Sequence, residues 1–240
     1  MQNTVVITGA GISVESGIQP FRGKNGLWNE NPTEMATYRN FRTNTSAFLQ
    51  WYYHRFVSCK DALPNKAHEI LVASNVKLIT QNVDNLHHKA AHATDMLIEI
   101  HGNINFKRTI SAIDRDELVL AQWNQVDENH LERDLFELFR IRKDGNIDDQ
   151  QSMRPHILLF DEYYTELYQY SKAQQWLEDA STIIFIGTSN SVGFTYGALQ
   201  EALFANKKIM VVDPNPAPSF FQAGVEIIHE TATRFCEQYF

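Results

Sequence analysis

Two stretches of this chain place polar side chains where a buried strand should end. "TQNVDNLHHKAA" (80–91) crowds Gln81, Asn82, Asp84, His87 and His88 behind the apolar run "NVKLI". "EIHGNI" sets His101 beside Gly102 at the end of a second such run. In an open parallel sheet ligands sit outside the carboxyl ends of the strands. Each stretch is therefore either a capped turn or one wall of a binding site, and capping needs only one of Asn82 and Asp84. An imidazole with an ordinary pKa near ~6.5 can take a proton at neutral pH, which makes His101 a candidate general base. The alternative is a structural histidine.

Three further strand ends carry small or acidic residues. Gly9, Ala10 and Gly11 follow "TVVIT", with Ser13 placed to cap a following helix. Small residues there let a phosphate approach backbone N–H groups at a helix N-terminus, and a tight structural turn is the competing reading. The third glycine of the dinucleotide fingerprint is missing, as is its acidic residue about 20 positions further on, so the pattern is not that of an ordinary dehydrogenase. Gly187, Thr188 and Ser189 follow "IIFI", and Asp213 closes "KIMVVD". A carboxylate in that place accepts both hydroxyls of a ribose or opens an Asp-Pro turn. Five such stretches at five strand ends predict one extended crevice shaped for a dinucleotide.

The elements that must position these residues read as short apolar runs at 4–8, 76–80, 96–100, 156–160, 182–187, 208–213 and 225–228. Most lack polar alternation, as strands covered on both faces do. Helical patterns at 44–60, 66–74, 164–180, 196–206 and 231–240 separate them. The alternation predicts an α/β fold with a doubly wound, Rossmann-like parallel sheet. Residues 9–75 and 101–155 are longer than a crossover requires, so two insertions should build a smaller, mainly helical lobe. The expected division of one domain, 1–240, is a core of about 1–22, 76–102 and 153–240 and a lobe of about 23–75 and 103–152.

Composition narrows the class. Hydrophobic residues make up 43% of the chain, enough for a real core, and no apolar run approaches the ~20 residues that span a bilayer. A strand entered at residue 4 leaves no room for a signal peptide, so the expected location is cytoplasmic, with no membrane partner. A formal charge of −8 argues against nucleic acid as a partner. With Cys59 and Cys236 as the only cysteines, neither a disulfide framework nor a four-cysteine zinc site can be built.

Taken in order, "GAGIS..SGI", "FRG...GLW" (21–28), "TQNVDNLH", "HG", "RPHILLF.E", "GTS.SV" and the turn at Asp213 resemble the sirtuin family, the NAD-dependent protein deacylases. The pieces are short, but the ordered set runs through nearly the whole chain. The resemblance implies NAD as cofactor and an acyl-lysine protein or peptide as substrate. It places Asn82 and Asp84 in the nicotinamide pocket, Gln81 on the adjoining ribose, and His101 as the general base acting through ribose hydroxyls. Phe21 would shield the nicotinamide and Arg22 would hold ribose or phosphate. Gly9, Ala10, Gly11 and Ile18 fall in the cofactor loop. Gly187, Thr188, Ser189, Asp213, Asn215 and Ala232 fall on the adenosine half, and Val192 on the substrate edge.

Four departures from the family pattern stand out. The interval between Gly102 and Arg154, where most sirtuins carry two cysteine pairs on a structural zinc, holds no cysteine. No zinc is expected, and Leu131, Leu135, Phe136 and Phe139, at helical spacing, are candidates to pack the lobe instead. Gln19-Pro20 stands in place of Pro-Asp, Asp161 in place of glycine, and Gly193-Phe194 in a region that often has proline. Tyr52 and Arg55 lie three apart on an expected helix, sharing a face. They resemble the Tyr-x-x-Arg of sirtuins that remove acidic acyl groups; an exposed helix face is the alternative. Two other activities remain open on the same residues: an NAD hydrolase or ADP-ribosyltransferase, and a non-catalytic NAD or ADP-ribose sensor.

Overall fold

The computed structural model describes residues 3–19 and 32–240. The strands are β1 (Thr4–Thr8), β2 (Lys77–Thr80), β3 (Leu97–Glu99), β4 (Gly102–Thr109), β5 (Val119–Leu120), β6 (Met153–Ile157), β7 (Thr182–Ile186), β8 (Lys208–Val212) and β9 (Val225–Ile228). Six of them form a parallel sheet in the order β3-β2-β1-β7-β8-β9. The chain winds outward from β1 to one edge and from β7 to the other. The winding reverses between β1 and β7, and in such sheets the crevice outside the strand ends opens at that point.

Period-two alternation sorts the strand residues onto two apolar faces. Val5, Ile7, Ile183, Phe185, Ile209 and Val211 pack against Ala173, Trp176, Leu177, Ala198 and Leu199, which lie on helices Tyr170–Asp179 and Gly193–Phe204. Val6, Leu78, Ile184, Ile186, Met210 and Val212 pack against Ala67, Leu71, Phe235 and Cys236, on helices Lys66–Ala73 and Ala232–Tyr239. Each fully buried aliphatic side chain contributes about 1.5–3 kcal/mol. This two-sided burial explains why the strands read as unbroken apolar runs.

The smaller lobe centres on helix Thr45–Cys59 and helix Leu131–Leu138. Its core is aromatic: Phe56 stacks on Trp123 at 5.5 Å, Trp123 meets Phe139 at 5.1 Å, and the Trp123 indole N–H donates to the Ile104 carbonyl at 2.7 Å. Leu135, Phe136 and Phe139 are buried in it and Leu131 packs on its edge. A three-stranded antiparallel sheet, β5-β4-β6, completes the lobe.

That small sheet corrects one expectation. The strand expected at 156–160 is Met153–Ile157, and it pairs antiparallel with β4 instead of joining the parallel sheet. Met153 and Ile157 face the lobe's core. The helix expected from 164 begins at Tyr170, after a 3-10 turn over Glu166–Tyr168. Among the described residues no helix is long and apolar enough to cross a membrane.

Candidate active site

Two turns meet at the switch point. The Gly9 N–H donates to the Ile186 carbonyl at 3.0 Å and the Gly11 N–H to the Gly187 carbonyl at 2.8 Å. A Cβ on Gly11 would fall 2.5 Å from the Gly187 Cα, and Gly187 itself has φ +61°. The glycines thus let two backbones interlock, and the Gly9 and Gly11 amides are engaged by protein carbonyls. The segment that follows, Ala10–Ser16, is a 3-10 helix capped by Gly9, not by Ser13 as expected. Ser13 is instead fully buried, and its hydroxyl donates to Asp84 Oδ2 at 2.7 Å. Asn65, which caps helix Lys66–Ala73, also ties this segment down by donating to the Ile12 carbonyl at 2.7 Å.

The polar stretch after β2 is a hydrogen-bonded turn whose Asn82 and Asp84 also line a cavity. Asn82 is buried and its amide donates to the Gly9 carbonyl and to Ser13 Oγ, each at 3.1 Å. Asp84 accepts from Ser13 and, through Oδ1, from the Leu86 N–H at 3.0 Å. Burial pushes its carboxyl pKa up, and the Ser13 and Leu86 donors oppose that. Gln81 bridges the crevice, donating to Thr188 Oγ1 at 3.0 Å and accepting from Thr195 Oγ1 at 3.4 Å. Thr195 is fully buried; no sequence pattern marked it or Ser13 for these contacts.

His87 and His88, by contrast, serve the fold. His87 Nε2 lies 3.2 Å from Thr8 Oγ1 at the end of β1. His88 pairs with the buried Glu99 at 3.1 Å, which raises its pKa. His87 is also packed between His68 and His92, with ring centroids 4.7 and 6.2 Å away. Burial holds all three pKa values down, His68 to about 4.

These histidines make a pH prediction. Their folded pKa values lie below the unfolded value near ~6.5, so the unfolded chain gains protons first as pH falls. The stability they contribute is complete above about pH 6.5 and is lost on the way down, to about 4 for His68. Each group contributes up to about 1.4 kcal/mol per pH unit, and His88 acts in the opposite sense. The melting temperature should therefore fall steadily from pH 7 to pH 5. A flat profile over that range would mean that the three rings are not held neutral.

His101 follows β3, one strand further along. Its Nδ1 lies 3.0 Å from the Gln81 carbonyl and its Nε2 3.1 Å from the Tyr164 hydroxyl. A carbonyl only accepts, so Nδ1 carries the proton and Nε2 the lone pair. Burial pushes the His101 pKa down to about 4, against the effect of the Gln81 carbonyl, so the ring is neutral at pH 7.

On the other side of the switch point, Thr188 and Asn190 are buried, and the Ser189 and Ser191 hydroxyls lie 2.7 Å apart. Val192 precedes helix Gly193–Phe204 as its cap residue. Asp213 follows β8 and accepts from the Asn215 N–H at 2.8 Å. Ala232 opens the last helix with its side chain in the apolar core.

A cavity is lined by Ala10, Ser13, Ile18, Asn82 and Asp84, with Arg55, Ser58, Cys59 and Ile104 lining it from the small lobe. Arg55 therefore reaches the site. Tyr52 lies beside Arg55 electrostatically, but it is 3% exposed and packs in the lobe's core, 4.7 Å from Phe48 and 4.8 Å from Trp51 between ring centroids. Asp161 has structural work of its own, accepting from the Tyr38 and Arg39 N–H groups at 2.6 and 3.0 Å to cap helix Tyr38–Thr43. Phe21 and Arg22 lie outside the described residues.

The doubly wound sheet and its switch-point crevice define a Rossmann-like α/β protein. The Sir2 family model matches residues 9–193, and the chain belongs to the Sir2 family. It is 34% identical over 221 residues to an NAD-dependent protein deacylase of Aggregatibacter actinomycetemcomitans, covering 90% of this chain and 95% of the relative. A protein of the same description from Bacteroides thetaiotaomicron is 27% identical over 243 residues, covering 99% and 96%. Among solved structures, a Sir2 homologue in complex with ADP-ribose matches with a TM-score of 0.80 at 26% identity, over 99% of this chain and 90% of that one. A complex of a Sir2 homologue with NAD matches at 0.77 and 27%, over 99% and 87%.

Proposed function

We propose that this protein is an NAD-dependent protein-lysine deacylase that transfers the acyl group to ADP-ribose and releases nicotinamide. The observation that carries the reading is a single crevice in which Asn82, Ser13 and Asp84 form one network while the neutral His101 stands at the next strand end. The site fits the cofactor by its charge: a carboxylate whose ionised form is disfavoured by burial is matched by a cationic nicotinamide ring. Relatives described as NAD-dependent protein deacylases support the reading. So does a Sir2 homologue, 26% identical with a TM-score of 0.76, solved with 2'-O-acetyl ADP-ribose.

Bound NAD would supply an electrophilic ribose carbon, open to attack by the acyl amide oxygen as nicotinamide leaves. Asn82 has its amide nitrogen committed to Gly9 and Ser13, so ligand contact falls to its Oδ1. Asp84 orients and balances the ring, and Gln81 holds the adjoining ribose. His101 receives a ribose hydroxyl proton on Nε2. Gly187, Thr188, Ser189, Asp213, Asn215 and Ala232 are assigned to the adenosine half, with Ala10, Ile18, Phe21 and Arg22 on the cofactor loop. The test is incubation with NAD and acetyl- or succinyl-lysine peptide, and without peptide, following nicotinamide and product masses. Equal nicotinamide release in all arms would mean an NAD hydrolase, and none in any arm a sensor.

Arg55, with Tyr52 three residues before it, is assigned to the acyl group. Its guanidinium lies 4.8 Å over the Trp51 ring and its side chain lines the cavity beside Asp84. A planar guanidinium suits a terminal carboxylate, so succinyl-lysine should be favoured over acetyl-lysine. A charge-assisted hydrogen-bonded contact of this kind is worth about 1.5–3 kcal/mol. Arg55→Met should lower the succinyl-to-acetyl ratio of kcat/KM by about one to two decades, mainly by weakening the acidic substrate. An unchanged ratio would return Arg55 to a structural role.

The lobe is proposed to fold without zinc. Residues 60–235 contain no cysteine, and the Phe56–Trp123–Phe139 aromatic cluster packs in the lobe's core. Elemental analysis should find no stoichiometric zinc, and strong chelator should leave the melting temperature unchanged. One tightly bound zinc per chain would overturn this.

A further inference from the structure

The His101 imidazole is held at both nitrogens. With its Nδ1 proton given to the Gln81 carbonyl, the Nε2 lone pair needs a donor, and the Tyr164 hydroxyl at 3.1 Å is that donor. Burial pushes the Tyr164 pKa up to about 12, so the phenol keeps its proton. Its ring lies over the imidazole at 6.0 Å and 29°, backed by Tyr170 at 5.5 Å and Phe194 at 5.9 Å. Tyr164 sits between β6 and the helix from Tyr170, on a segment with no regular structure of its own around it. A backbone hydrogen bond at Phe194 bears on the same phenol and opposes the effect of burial.

We propose that Tyr164 controls access to His101: its hydroxyl donates to Nε2, the lone pair that a ribose hydroxyl would need, and so competes with NAD for it. This rests on the NAD-dependent reading of the site. One imidazole nitrogen offers one in-plane lone pair, so two hydroxyl donors cannot share it. NAD binding therefore exchanges one O–H···N bond for another, and Tyr164 competes with the cofactor. The same bond favours the neutral ring, because a donor to the lone pair is lost when that nitrogen is protonated. The groups facing the ring are the Gln81 carbonyl from the end of β2, Tyr164 with Tyr170 behind it, and Phe194 across the crevice. Burial and the Gln81 carbonyl otherwise govern its titration.

The test uses the full chain in three forms: unmodified, Tyr164→Phe and Tyr170→Phe. The His101 ring is titrated by nitrogen NMR on histidine-labelled protein, and NAD affinity is measured by calorimetry. Tyr164→Phe keeps the ring but not the hydroxyl. It should raise the His101 pKa by about half a unit to one unit and tighten NAD binding about three- to tenfold. Tyr170→Phe should move neither. Unchanged titration and affinity in Tyr164→Phe would leave the phenol a packing group, and weaker NAD binding would make it a ligand contact; either result overturns the proposal. Both readouts are independent of peptide turnover, so a protein that binds NAD yet removes no acyl group fails the deacylase reading alone. An unmodified protein that binds no NAD overturns both.

Discussion

Replacing His101 by alanine should lower acyl transfer by about two to four decades, the usual contribution of a positioned general base, while NAD binds within about tenfold of the unmodified protein. The separation is expected because the ring acts through one nitrogen. The Gln81 carbonyl fixes the proton on Nδ1 and leaves Nε2 free of one. Burial keeps the ring neutral, with a pKa near about 4, throughout the physiological range. The wall of the cavity that holds Asn82 and Asp84 does not include His101, so the network that would hold nicotinamide survives its loss. Steady-state acyl transfer alongside calorimetric NAD binding checks both halves. Turnover within a few-fold of the unmodified protein would assign His101 to structure.

The largest loss of stability should follow Glu162→Ala. Arg154 is 1% exposed, and its two terminal nitrogens meet the two Glu162 oxygens at 2.5 and 2.9 Å. One of those nitrogens also donates to the Ile157 carbonyl at 2.6 Å, and Glu162 accepts from the Leu159 N–H at 3.0 Å. The guanidinium lies 5.6 Å over Tyr38 and 5.9 Å over Phe41, so no water can replace the carboxylate from that side. Removing Glu162, whose own side chain is 22% exposed, leaves the buried Arg154 charge uncompensated, which costs up to about 3–5 kcal/mol. Urea unfolding should show that loss with little change in slope. Pairing Arg154→Met with Glu162→Leu should recover much of it, because hydrophobic replacement of a whole buried pair is often neutral. A loss below about 1 kcal/mol in Glu162→Ala would mean the pair is solvated in solution.

The sequence made the parallel sheet legible because its strands are covered on both faces and so contain unbroken apolar runs. The small sheet was not legible for the opposite reason. β4 reads "GNINFKRT", mostly polar, and its partner reads as a core strand because "ILLF" continues past the true end at Ile157. At the candidate site, the strand-end places of Asn82, Asp84 and His101 were legible. What they touch was not visible: Ser13 looked like a helix cap but serves Asp84. Tyr52 and Arg55 share a helix spacing, yet one is drawn into the Phe48–Trp51 aromatic packing and the other reaches the cavity. Tyr164 reaches His101 from a segment whose sequence has no period to read.

The central strand pair carries a consequence for synthesis. β1 leaves the ribosome before the other described strands, yet it has two sheet neighbours of very different date: Val5 pairs with Lys77 on one side, and Thr4 with Thr182 on the other. The half-sheet β3-β2-β1 can assemble once residue 99 has emerged, but its β1 edge then stands open until β7 is made. Contacts so distant along the chain must meet their loop-closure entropy before they return anything. During that interval the exposed edge, bordered by Val5, Val6 and Ile7, is the part of the nascent chain most open to pairing with another molecule. The crevice itself, closed by Gly11 against Gly187, is among the last features to exist.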